Sequence, residues 1–175
     1  MDAAFTLAWQ HSVGLVFPEN LPMAAAELMA EGQDSPALRD LAGRSSNEDT
    51  AELQSLLQEA MGELRVPVPD GETAERCLLH HLAARLTAGD ITPKDVAATL
   101  WYGIADTGTD LESQFAKAAT EEDYLDAMET NQPEAFRSWE NALRAAAITL
   151  AAAENNPLKA VETQPDRALP GADAK

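Results

Sequence analysis

Apolar residues recur three and four positions apart along most of this chain, and no long run alternates with the period of two that a half-buried strand requires. The pattern is clearest from Asp70 to Asp106, which reads as two helices joined by a tight turn. In the first helix Leu78, Leu79, Leu82 and Leu86 form one broad apolar face, and Ala74, Cys77, Ala84 and Ala88 line a second face of small groups. Gly89 stands where a helix needs a left-handed C-terminal residue. Thr92 is the expected N-cap of the next helix, with Pro93 in the first helical position and Asp95 completing a capping box. Ile91 and Val96 flank that cap as a hydrophobic staple. Val96, Leu100 and Ile104 run down one side of this helix and Ala97, Trp101 and Ala105 down the adjacent one, which makes Trp101 the expected core anchor.

The same reading extends to both ends. Phe5, Ala8, Trp9, Val13 and Val16 share a stripe over about residues 3–16, weakened at Gly14 and ended by Pro18. Short helices follow at about 22–31, carrying Leu28 and Met29, and between the Ser35–Pro36 start and Gly43. Ser46 with Asp49 forms a capping-box pattern before a helix to Leu64, on which Leu53, Leu56, Leu57, Ala60, Met61 and Leu64 keep helical spacing. The prolines of residues 65–71 hold that stretch extended. Past a loop after Asp106, Thr109 with Glu112 and Thr120 with Asp123 are two more capping-box patterns. The first introduces Leu111, Phe115 and Ala118, the second Tyr124, Leu125 and Met128. A last helix from Pro133 to about Glu154 carries Phe136, Trp139, Leu143, Ala146, Ala147 and Leu150. The expectation is an all-α, single-domain irregular bundle of about six to eight helices over residues 1–156, followed by a disordered tail over 157–175.

Composition supports that class. The 175 residues are 45% hydrophobic but only 5% aromatic, with alanine and leucine dominating, and a chain of this length buries about two-thirds of its unfolded surface in one core. Charge narrows the partners. Thirty acids against twelve bases give a formal net charge of −18, a field that repels phosphate and speaks against direct nucleic-acid binding. The acids are also uneven: ten fall between Asp95 and Glu134 against the single base Lys117. No stretch reaches membrane-spanning length, and the N-terminal apolar residues lack the basic start of a signal peptide, so a cytoplasmic location is expected.

The material for chemistry is thin. Cys77 is the only cysteine, so a disulfide within the chain and a cysteine-rich metal site are both excluded. On a helical wheel His80 falls with Arg76 and Thr87, towards solvent, while His81 falls with Cys77, giving two convergent groups where a structural zinc site needs four. Asp123 and Asp126, preceded by Glu121 and Glu122, resemble one aspartate-rich run of a divalent-metal enzyme, but there is no second run to face it. The acids from Asp106 to Glu112 lack the glycine and the final glutamate of a calcium loop. Phosphate-binding, dinucleotide, nucleophile-elbow and zinc-helix motifs are absent. No catalytic residue, metal ligand or cofactor is therefore assigned.

The segments LMAEGQDSPALRDLAG, LLQEAMGELRVPVPD and LTAGDITPKDVAATLW, together spanning Leu28 to Trp101, resemble small acidic all-helical proteins of unknown function from high-GC bacteria. In that group a Ser-Pro helix, a helix ending near Glu-Leu and a Gly-to-Pro turn before a Trp-containing helix come in this order. The resemblance implies an accessory or immunity-type role and brings no catalytic residue with it.

The expected function is a non-catalytic acidic protein-binding module, an immunity or inhibitor protein that neutralises a basic partner such as a nuclease toxin. Asp110, Glu112, Glu121, Glu122, Asp123 and Asp126 form the expected steering face, with Tyr124 as an anchor. The alternatives are a DNA-mimic regulator and a small metal-dependent enzyme that uses its carboxylates. A homo-oligomer would follow if an apolar stripe were left uncovered.

Overall fold

The computed structural model describes residues 2–101 and 108–162, the last three by backbone alone, and every regular element among them is helical. The elements are α1 (Ala3–Ser12), a 3-10 turn (Pro18–Asn20), α2 (Leu21–Ala30), α3 (Pro36–Ala42), α4 (Thr50–Leu64), α5 (Gly71–Ala88), α6 (Pro93–Leu100), α7 (Asp110–Thr120), α8 (Leu125–Asn131), α9 (Pro133–Ala151) and α10 (Pro157–Glu162). The all-helical class agrees with the sequence. The ten α-helices among the described residues exceed the six to eight expected, and α10, of 6 residues, lies where the tail was expected because so short a piece holds too few apolar positions to show a period. Ile104 and Ala105, and the tail from residue 163 on, lie outside the described residues.

Local chemistry sets most boundaries. The Asp2 carboxylate accepts from the N–H groups of Ala4 and Phe5, Ser35 accepts from Leu38, and Asp70 accepts from Thr73. Full capping boxes close at Thr92–Asp95 and Thr109–Glu112. Gly89 ends α5 with φ of 84°, the left-handed region in which a side chain would be strained. Three expected boundaries shift. Helix α4 opens on Asp49 rather than Ser46, since Asp49 is the residue whose carboxylate takes the free N–H of Ala51. Helix α1 stops at Ser12, because the chain turns through Gly14 at φ of 76°. The Thr120–Asp123 box does not form: α7 continues through Thr120, and α8 begins only at Leu125, without a side-chain cap.

Two apolar clusters are built on this frame. Helix α5 is the centre of the first and packs against α1, α6, α7, α9 and α10. Leu79, Leu86, Leu100, Phe115, Leu143 and Leu150 are among its fully buried members. The second gathers Leu21, Leu38, Leu41, Leu53 and Met61 from α2, α3 and α4. Helix α1 serves both, giving Phe5 and Trp9 to the first and Ala4, Leu7 and Ala8 to the second. Leu158 of α10 is buried against the first cluster, so ordered structure runs past residue 156, where the tail was expected to begin. No helix among the described residues is long and apolar enough to cross a membrane.

Trp101 is not a core anchor, being 56% exposed. The buried arc of α6 is centred on Pro93, Val96 and Leu100, and Trp101 falls about a quarter turn from that centre. Trp9, fully buried, holds the place expected of Trp101. Trp9→Ala should therefore cost about 3–5 kcal/mol, and Trp101→Ala should stay within about 0.5 kcal/mol of the wild type. Urea unfolding followed by far-ultraviolet circular dichroism measures both; equal losses would reverse the assignment.

Candidate functional site

The most demanding polar group lies inside the first cluster. Glu112, in the first turn of α7, has no exposed surface, and three donors meet its carboxylate. The Thr109 backbone N–H donates at 2.6 Å, His80 Nε2 at 2.9 Å, and Arg76 Nε at 3.1 Å to each oxygen. A carboxylate accepts only, so the Nε2 of His80 carries the proton and its Nδ1 is a bare acceptor, buried and without a hydrogen-bond partner. Arg76 extends the network by donating from Nη2 to the Asn155 carbonyl at 3.2 Å, which ties α5 to the chain leading into α10. Gly108, at φ of 86°, completes the enclosure: a Cβ there would run into the Glu112 carboxylate.

This arrangement removes Glu112 from the steering face, because a carboxylate with no exposed surface and a guanidinium against it presents no charge to a partner. It also corrects His80, which is 1% exposed rather than turned to solvent. Helices α7 and α10 also pack on α5, and Glu112 of α7 meets the His80 ring there. His81 lies with its ring 5.3 Å from that of Trp9. Cys77 is fully buried, and burial pushes its thiol up to about 12, the state of an inert packing group. Among the described residues no three His, Cys, Asp or Glu converge as a metal ion would need.

The accessible feature is a groove of about 650 Å³ between α6 and α8. Lys94, Ala97, Ala98 and Trp101 line one wall at i, i+3, i+4 and i+7 of α6 and its C-cap; the opposite wall is Glu122, Asp123 and Tyr124, then Leu125, Asp126 and Ala127 of α8. Small alanines give the groove its depth, and two large exposed aromatics, Trp101 and Tyr124 at 79%, stand over it. Lys94 spans it, donating to Asp126 at 2.6 Å and Glu129 at 2.7 Å, with Nζ 5.7 Å from the Phe136 ring centre. These hydrogen bonds hold the Lys94 ammonium above its ordinary value, the Asp126 bond most.

Of the expected partner-binding residues, Glu122, Asp123, Tyr124 and Asp126 are thus brought together. Glu121 is exposed beside them at the end of α7. Asp110 is exposed at the other end of that 11-residue helix, about 16 Å away. Sequence reasoning missed Lys94 and Trp101, although their i, i+7 spacing was legible: a stripe turned to a core and a stripe turned to a groove have the same period. Comparison with protein-family models, curated proteins and solved structures finds no match for this chain.

The buried network sets a pH response. Burial holds His80 below its ordinary 6.5, and nearby Arg76 and Lys159 act in the same direction, outweighing Glu112. Below pH 6.5 the unfolded chain therefore binds more protons, and stability falls with pH. Glu112 adds to the loss in stronger acid. Burial alone would raise it, but its Thr109, His80 and Arg76 bonds bring it below 4.5, so its contribution is complete above that pH and vanishes as pH drops through the folded value. Urea midpoints should fall steadily from about pH 7 to about pH 4, and Glu112→Ala should cost about 3–5 kcal/mol at neutral pH by stranding Arg76. His80→Phe should flatten the upper part of that slope; an unchanged slope would exclude His80 as its source.

Proposed function

We propose that this chain is a non-catalytic binding module for a basic protein, of the inhibitor or immunity type, and that the partner is taken at the groove between α6 and α8. One observation carries the reading: the exposed aromatics Trp101 and Tyr124 share a groove with alanines and with Glu122, Asp123 and Asp126, on a chain of net charge −18. Aromatic groups that contribute little to the core supply contact area to a partner, and the carboxylates steer a cationic surface towards them. A nuclease toxin, basic because it must hold phosphate, is the kind of partner such a face would neutralise. The DNA-mimic alternative draws less support, since it needs carboxylates repeated along one surface, whereas Glu112 is buried and Asp110 stands at the far end of α7.

The test combines capture and kinetics. A stoichiometric basic protein should be retained from native extract at low salt and released at high salt. Combined Glu122→Lys, Asp123→Lys and Asp126→Lys replacement should slow its association about tenfold or more and flatten the salt dependence. Unchanged association would remove this face from the partner site.

A further inference from the structure

The groove has features that define the conformation of what it takes, and this step rests on the binding reading above. Its walls are two helices and a short link, so among the described residues the groove offers no sheet edge to which an extended peptide could add. A helix satisfies its own backbone and needs no such edge, so it suits a groove walled by helices. The α6 wall is eight residues, about 12 Å, long enough to meet about two turns. The small side chains of Ala97, Ala98 and Ala127 on its two walls leave room beside Trp101 and Tyr124, and Glu122 and Asp123 line it too.

Lys94 adds the second feature. Its ammonium already sits on Asp126 and Glu129, across the groove from its own helix. The chain thus fills with an internal cation the position where a partner's lysine or arginine would meet the same two carboxylates. We infer that the groove binds an amphipathic basic helix of a partner protein, its apolar residues entering between Trp101 and Tyr124 and its cations engaging the carboxylate rim in competition with Lys94. A second copy of this chain is disfavoured as the occupant by charge, since each copy carries −18 and the groove residues themselves sum to −2, from Glu122, Asp123 and Asp126 against Lys94.

Calorimetric titration of the full chain with three model peptides tests this. The first is a lysine-leucine peptide patterned as an amphipathic helix, the second has the same composition with its leucines scattered around the helix, and the third has glutamate in place of lysine. The patterned basic peptide should bind one to one, about tenfold or more tighter than the scattered one, and the acidic peptide should not bind. Trp101→Ala should weaken the patterned peptide about tenfold, and Lys94→Met should strengthen it by freeing Asp126 and Glu129. Equal binding of both basic peptides, unaffected by Trp101→Ala but lost on lysine replacement of Glu122, Asp123 and Asp126, would overturn the helix inference and leave the basic-partner reading standing. No binding of either basic peptide would count against both. A dimer seen by sedimentation in the absence of peptide, and lost in Trp101→Ala, would put a second copy in the groove and overturn the proposal.

Discussion

A single carboxylate, buried without access to solvent, sets the terms for much of this structure. Moving a charge out of water is costly enough that it survives only where donors replace the lost hydration. Glu112 obtains them from three separate places: the backbone at Thr109, the His80 ring and the Arg76 guanidinium. Because Arg76 and His80 sit four residues apart on α5, satisfying Glu112 fixes the rotation and depth of α7 against that helix. The second arm of Arg76 then fixes the backbone at Asn155, just before α10. Gly108 keeps the approach open, since a side chain there would take the space of the carboxylate.

The apolar packing follows from that fixed centre. With α7 set on α5, Phe115 and Ala119 turn into the same cluster as Leu143 and Leu150 of α9, and Trp139 donates its indole N–H to the Ala118 carbonyl at 2.9 Å. Helix α1 joins this cluster to the one formed by α2, α3 and α4, placing Trp9 on one side and Leu7 on the other. Its low amphipathic contrast has a physical cause: a helix that packs on two clusters is apolar around most of its circumference.

Much of the fold was legible because it is written in local chemistry. The turn from Gly89 through Thr92, Pro93 and Asp95 forms as read, and so does the Thr109–Glu112 box. What could not be read depends on partners remote in the chain. On the wheel alone His80 faces water, but α7 supplies a carboxylate 32 residues away, and the capping pattern of Glu112 carries no sign of that second role. Trp101 was assigned to the core because helical period gives the face of a side chain but not the neighbour that covers it. On the candidate site, Glu122, Asp123, Tyr124 and Asp126 were legible as an acidic cluster with an aromatic, whereas the groove itself needed α6 to be brought beside them.

On the proposed reading, the scaffold and the partner surface are carried by different residues. The groove lies at the edge of the first cluster, where Leu125 is half-buried and Ala97 is buried, while Trp101 and Tyr124 are exposed. Those aromatics can change without opening a cavity in the core. Lys94 belongs to both sets, since its ion pairs link α6 to α8 across the groove and at the same time screen Asp126 and Glu129. Exposed pairs of this kind contribute little stability and exchange readily for others. In the proposed binding role a partner's cation would meet carboxylates already arranged for an ammonium, on a helix held by its packing against α9.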